Sequence, residues 1–121
     1  MAPPATAAGR VGADASAVAG LARFFPEAMP LRLSMQLARG LDEADLSAAH
    51  FTESTIVEFG TSREVLFSCS TPLEFADLLR LRSSDGVFDF EASVVAVQYQ
   101  PGKTIVAARF RKKVPNWIIK S

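Results

Sequence analysis

The sequence is short of the residues that carry most enzyme chemistry. It holds one cysteine, Cys69, and one histidine, His50, in 121 residues. A lone cysteine excludes an intramolecular disulfide and fits a reducing compartment. One Cys and one His fall short of a zinc site built from protein ligands alone, so neither a metal nor a cofactor is expected. No GxxxxGK[ST] phosphate loop occurs. A Cys–His nucleophilic pair would need hydrogen-bond contact and a third, orienting group. Cys69 closes an apolar run and reads as a packing residue, so the protein is expected not to be an enzyme. No apolar run approaches the roughly 18 residues that span a bilayer. Asp14 interrupts the one candidate leader peptide. The expectation is a cytoplasmic protein without a membrane span.

Net charge is missing too. Thirteen basic residues balance thirteen acidic ones, which argues against nucleic-acid binding through a general basic field. The charges are nevertheless segregated. From Pro101 to Ser121 there are six basic residues (Lys103, Arg109, Arg111, Lys112, Lys113, Lys120) and no acidic one, whereas Asp42 to Glu91 carries eleven of the acids. Basic and acidic strands facing each other across a sheet would account for this.

What the chain does have is apolar residues at 49%, enough for the core of one small domain. Residues 1–12 are rich in Ala, Pro and Gly and read as a disordered arm. Asp14 reads as the N-cap of a short helix to about Phe25, with Val18, Leu21 and Phe25 on one face and Pro26 ending it. From Leu31 the period becomes two: Leu31, Leu33, Met35 and Leu37 point one way, and Arg32, Ser34, Gln36 and Ala38 the other. Gly40 to His50 is either a turn or two of helix capped by Asp42 or a long loop. Strands follow at Thr55–Phe59, Glu64–Cys69, Leu78–Arg82, Val87–Tyr99 and Thr104–Arg111. Asp85-Gly86 is a two-residue hairpin signal, and Pro101-Gly102 fits the centre of a type II turn. In the long strand Phe88, Phe90, Ala92, Val94 and Ala96 line one face. The other face turns from polar (Asp89, Glu91, Ser93) to apolar (Val95, Val97, Tyr99), so the helix or the tail must cover that end. Phe24, Phe25, Phe88 and Phe90 read as core. The fold class is mainly β: a small six-stranded antiparallel barrel with a short N-terminal helix, the barrel spanning about 30–111 and a tail 112–121.

The run Thr55 to Phe110 resembles a PilZ domain, a six-stranded barrel that binds cyclic di-GMP in bacterial signalling. The features in family order are a strand, a Ser/Thr/Gly turn, Val65-Leu66-Phe67, Pro72-Leu73, the short strand from Leu78, and the hairpin of Phe90–Val97 with Ile105–Phe110. The resemblance implies a regulatory module spanning 13–121. It also implies two ligand motifs, and both are altered. The paired arginines before the first strand are replaced by Arg23 and Arg32, nine positions apart. The Asp/Asn, Ser and Gly of the second motif fall on Phe59, Thr61 and Glu64. A cyclic dinucleotide is a dianion that favours forked guanidinium contacts and close backbone approach at glycine. Phe59 offers no polar group, and Glu64 adds negative charge.

The resulting expectation is a signalling module with an eroded nucleotide site that acts through a protein partner. The alternatives are a cyclic di-GMP receptor using Arg23, Arg32, Thr61 and Arg63, and a small barrel binding single-stranded nucleic acid through Arg109–Lys113 beside Trp117. Trp117, Ile118 and Ile119 either close the barrel or form an apolar handle for a partner.

Overall fold

The computed structural model describes residues 17–48 and 50–120; the arm expected at 1–12 and the helix start at Asp14 lie outside them. Helical residues 17–22 (α1) precede strands β1 (Met29–Gly40), β2 (Glu53–Gly60), β3 (Glu64–Cys69), β4 (Leu78–Ser83), β5 (Asp89–Gln100) and β6 (Lys103–Phe110), with α2 (Glu43–Ala48) between β1 and β2. Every pairing is antiparallel, and the strands close in the order β1-β2-β3-β6-β5-β4. The mainly β, six-stranded barrel expected from the pattern is the fold of the chain.

Alternation builds the interior. Met35 and Leu37 in β1, Val65 and Phe67 in β3, Leu79 and Leu81 in β4, and Val106 and Ala108 in β6 point inward and are fully or almost fully buried. Each of these side chains larger than Ala108 contributes about 1.5–3 kcal/mol by leaving water. A second, smaller core lies outside the barrel wall. Val18 and Leu21 of α1 pack on Leu66, Ile105 and Ala107, with Phe25, Phe59, Val95 and Ala96 around them. The two-faced apolar stretch of β5 is thus covered from outside by the N-terminal helix. Helical hydrogen bonding gives way to short-range turns in which the Phe24 N–H donates to the Leu21 carbonyl and the Phe25 N–H to the Ala22 carbonyl. The helix therefore ends about three residues earlier than its apolar pattern suggests, and Phe24 is left 72% exposed rather than in the core.

A bulge corrects the reading of β5. Val94 pairs with Ala108 and Ala96 with Ala107, leaving Val95 as the extra residue. An inserted residue reverses the in–out alternation beyond it. Ala96 accordingly joins the outer core under α1, while Val97 faces the inner one. The β4–β5 connection also differs from a two-residue hairpin. The Gly86 N–H bonds the Ser83 carbonyl at 2.9 Å, and the Ser83 N–H bonds Phe88 at 2.8 Å. Gly86 takes φ +77° at the end of the turn, so Asp85-Gly86 fills its later positions. Pro101-Gly102 does form a two-residue turn, with Gln100 paired to Lys103 and Gly102 at φ +79°. Between Gly40 and His50 the chain is helical over α2. Asp42 caps it by accepting the Asp45 N–H at 2.8 Å, and Asp45 returns a carboxylate oxygen to the Leu41 N–H at 2.7 Å.

Candidate functional site: the β2–β3 turn and the basic end of β6

The β2–β3 turn is where the PilZ resemblance implies a ligand motif, and its polar groups are turned inward. Thr61 is buried, and its hydroxyl accepts the N–H groups of Arg63 at 3.0 Å and Glu64 at 2.9 Å. The same hydroxyl donates to the Glu64 carboxylate, so its capacity is used up. Glu64 is also buried. Its other oxygen takes two contacts from the Arg109 guanidinium directly across the β3–β6 ladder, at 2.7 and 2.8 Å. The Thr61 carbonyl accepts the indole N–H of Trp117 at 2.9 Å. Asn116, in the left-handed conformation at φ +57°, turns the tail so that this indole enters the barrel end. There it stands edge-on to Phe88, Phe90 and Phe110, with centroids 5.0–5.9 Å away.

The residues singled out from the sequence therefore separate. Thr61 is sequestered. Arg23 at the end of α1, Arg32 on β1 and Arg63 in the turn are exposed, and among the described residues none of them forms an ion pair. Trp117 is 4% exposed and belongs to the inner core, so it is no surface handle. Ile119 packs half-buried against that core, and Ile118 is 50% exposed. Of the three tail residues, only Ile118 presents substantial apolar surface.

Two clefts flank Lys112 and Lys113. One, of about 580 Å³, is also lined by Glu27, Ser62, Arg63, Phe110 and Arg111. The other, of about 480 Å³, runs past Arg80, Asp89, Phe90 and Glu91 to Pro115. The expected facing of acidic and basic strands holds for part of this region. Arg109 meets Glu64 on β3, and Arg111 meets Glu91 on β5 at 3.3 Å. Asp89 takes both Arg80 and Arg82, at 2.9 and 3.2 Å, and Phe51 lies over both guanidinium groups at 5.4 and 5.0 Å. The Arg80 hydrogen bonds outweigh burial and, with Arg82, hold the Asp89 carboxyl below the usual range. Lys112 and Lys113 form no ion pair among the described residues. The cleft they share with Arg63 could be found in the sequence only as the acid-free run after Pro101.

Cys69 and His50 do not form a reactive pair. His50 is exposed, whereas Cys69 is buried and donates to the Thr71 carbonyl at 3.4 Å. Burial, reinforced by the negative charge of Glu53, pushes the thiol up to about 12. Glu53 itself sits below its ordinary value, because hydrogen bonds from Ser70 and Thr71 together overcome the opposing effect of burial. Native protein is expected to resist iodoacetamide at pH 8 and to be alkylated promptly in urea, which mass spectrometry would follow. A thiol held above its unfolded value of about 8.5 contributes stability that is complete below that pH and is lost as pH climbs toward 12. Cys69→Ala should flatten that alkaline decline in denaturant titrations.

No helix among the described residues is long and apolar enough to cross a membrane. Comparisons with protein-family models, curated proteins and solved structures gave no match.

Proposed function

We propose that this protein is a non-catalytic, PilZ-like signalling module of a bacterial cyclic di-GMP circuit, acting through a protein partner, with its nucleotide position closed. The observation that carries this reading is the saturated β2–β3 turn. A dianion approaching the turn would meet no free Thr61 hydroxyl, and would find the Glu64 carboxylate already sharing Arg109. Freeing Arg109 for a ligand would leave the buried Glu64 carboxylate with the Thr61 hydroxyl but without its ion pair, an unfavourable exchange that the half-exposed position of Arg109 only partly softens. The closed six-stranded barrel supports the family likeness at the level of architecture.

A second reading, a cyclic di-GMP receptor with rearranged cations, is favoured by Arg63 and the two lysines beside the same turn, which form no ion pair among the described residues. The nucleic-acid reading is weaker, because Trp117 is buried and Arg109 and Arg111 are engaged in ion pairs. Calorimetric titration with cyclic di-GMP at physiological salt separates the first two. No heat is expected at high micromolar ligand, with an orthogonal check because binding enthalpy can be near zero. A saturable isotherm in the micromolar range would sink the closed-site reading, and Arg23→Ala, Arg32→Ala and Arg63→Ala would then locate the phosphate contacts.

A further inference from the structure

We infer that the cleft between the β2–β3 turn and the end of β6 docks an acidic segment of a partner protein, with carboxylates flanking one apolar side chain. The inference rests on the protein-partner reading above and supplies the partner's chemistry.

The charge along β6 and its extension changes character within a few residues. Arg109 and Arg111 each have a carboxylate on a neighbouring strand. Lys112, Lys113 and Arg63, which line one cleft together, have none among the described residues. Like charges gathered in a shared concavity repel one another, and the field there is focused. An anion from outside would relieve that repulsion.

The remaining lining residues narrow the class of anion. Phe110 is half-buried in the wall and gives an apolar side chain something to rest on. Glu27 and Ser62 place a carboxylate and a hydroxyl in the same cleft, acceptors suited to peptide N–H groups. A uniform polyanion, whether a nucleic-acid strand or an acidic bilayer, would press its own charge against Glu27. The cleft's only aromatic among the described residues, Phe110, is half-buried and packed edge-on with Phe90 and Trp117. Trp117 is itself committed to the core, so a row of stacked bases finds no extended platform. The volume, about 580 Å³, is that of a site for a few side chains. Arg63 can fork onto a carboxylate while the lysines act as point charges.

The test is fluorescence anisotropy with a labelled decapeptide rich in glutamate around one central leucine, titrated with the whole chain. The Gln-for-Glu peptide and a labelled oligothymidylate serve as comparisons. Saturable binding of the Glu peptide is expected, weaker by at least about fivefold for the Gln peptide and falling as salt is raised. K112E/K113E and Arg63→Glu should each weaken it by about tenfold, while Lys103→Glu, outside the cleft, leaves it unchanged. Circular dichroism melting should show K112Q/K113Q as stable as the parent or more so, because repulsion is removed. Absence of peptide binding, indifference to the cleft variants, or tighter binding of the oligothymidylate would overturn the inference. Failure here with silent cyclic di-GMP calorimetry removes the acidic-segment inference and leaves the partner reading in place. A cyclic di-GMP isotherm removes the closed-site reading, while the peptide titration and the cleft variants decide the acidic-segment inference separately.

Discussion

Trp117→Ala is expected to destabilise the protein by about 3–5 kcal/mol, the range for truncating a buried aromatic. That is a large share of the roughly 5–15 kcal/mol that holds a domain of this size together. Three effects add up. The indole is 4% exposed, so its removal opens a cavity beneath Phe88, Phe90 and Phe110. Three edge-to-face contacts disappear with it. The Thr61 carbonyl also loses its donor, and an unsatisfied buried acceptor costs about 1–3 kcal/mol if water cannot reach it. Trp117→Phe keeps much of the apolar contact but loses the donor and part of the ring volume, so a smaller loss of about 1–3 kcal/mol is expected. Urea titration followed by circular dichroism measures both. A change under 1 kcal/mol for the alanine variant would mean that the tail is not part of the folded core.

The second large effect is expected at Gly40→Ala. A Cβ built on Gly40 would lie 2.7 and 2.8 Å from side-chain carbons of Leu46 and 2.9 Å from its backbone nitrogen. Leu46 is fully buried, and its N–H is held by the Asp42 carbonyl at 2.9 Å. The clash therefore reaches backbone that cannot swing aside as a surface side chain would. Either α2 moves off β1 or the end of the strand bends. A cost of about 1–3 kcal/mol is expected from overpacking, seen as a lower urea midpoint with an unchanged slope. By contrast, Gly20→Ala meets no atom within 4 Å and should be neutral or slightly stabilising in the helix.

Period-two alternation carried most of the barrel. Glu64–Cys69 has the same bounds in pattern and in structure, and the other strands differ by at most two residues at either end. Pro101-Gly102 was legible because proline and a positive-φ glycine admit few turns. The bulge at Val95 was not, since an extra residue in a strand apolar on both faces leaves the pattern looking continuous. Trp117 was ambiguous for a related reason: an apolar tail reads the same whether it plugs its own barrel or meets another molecule. Its burial depends on the left-handed turn at Asn116 and on a carbonyl 56 residues away. At the candidate site, the resemblance implied a ligand motif at positions that Thr61 and Glu64 occupy. It could not show that Thr61, Glu64, Arg109 and Trp117 satisfy one another, because that network joins three distant stretches. Lys112 and Lys113 were visible as charge, but that no carboxylate pairs with them among the described residues depends on which cross-strand neighbours reach them.

The strand order has a consequence for how the chain reaches this fold during synthesis. β3 has β6 as a neighbour, and the barrel end is closed by Trp117, far downstream of the turn it caps. At a synthesis rate of about 5–20 residues per second, the β2–β3 hairpin, complete at Cys69, waits roughly 2–10 s for Trp117. Until β6 (Lys103–Phe110) is made, β3 carries an open edge, and until Trp117 arrives the inner apolar faces have no lid. Pairings of such long sequence separation also place folding itself in the millisecond-to-second range. A nascent chain of this topology is thus exposed to chaperones, and to other nascent copies, for longer than its small size suggests.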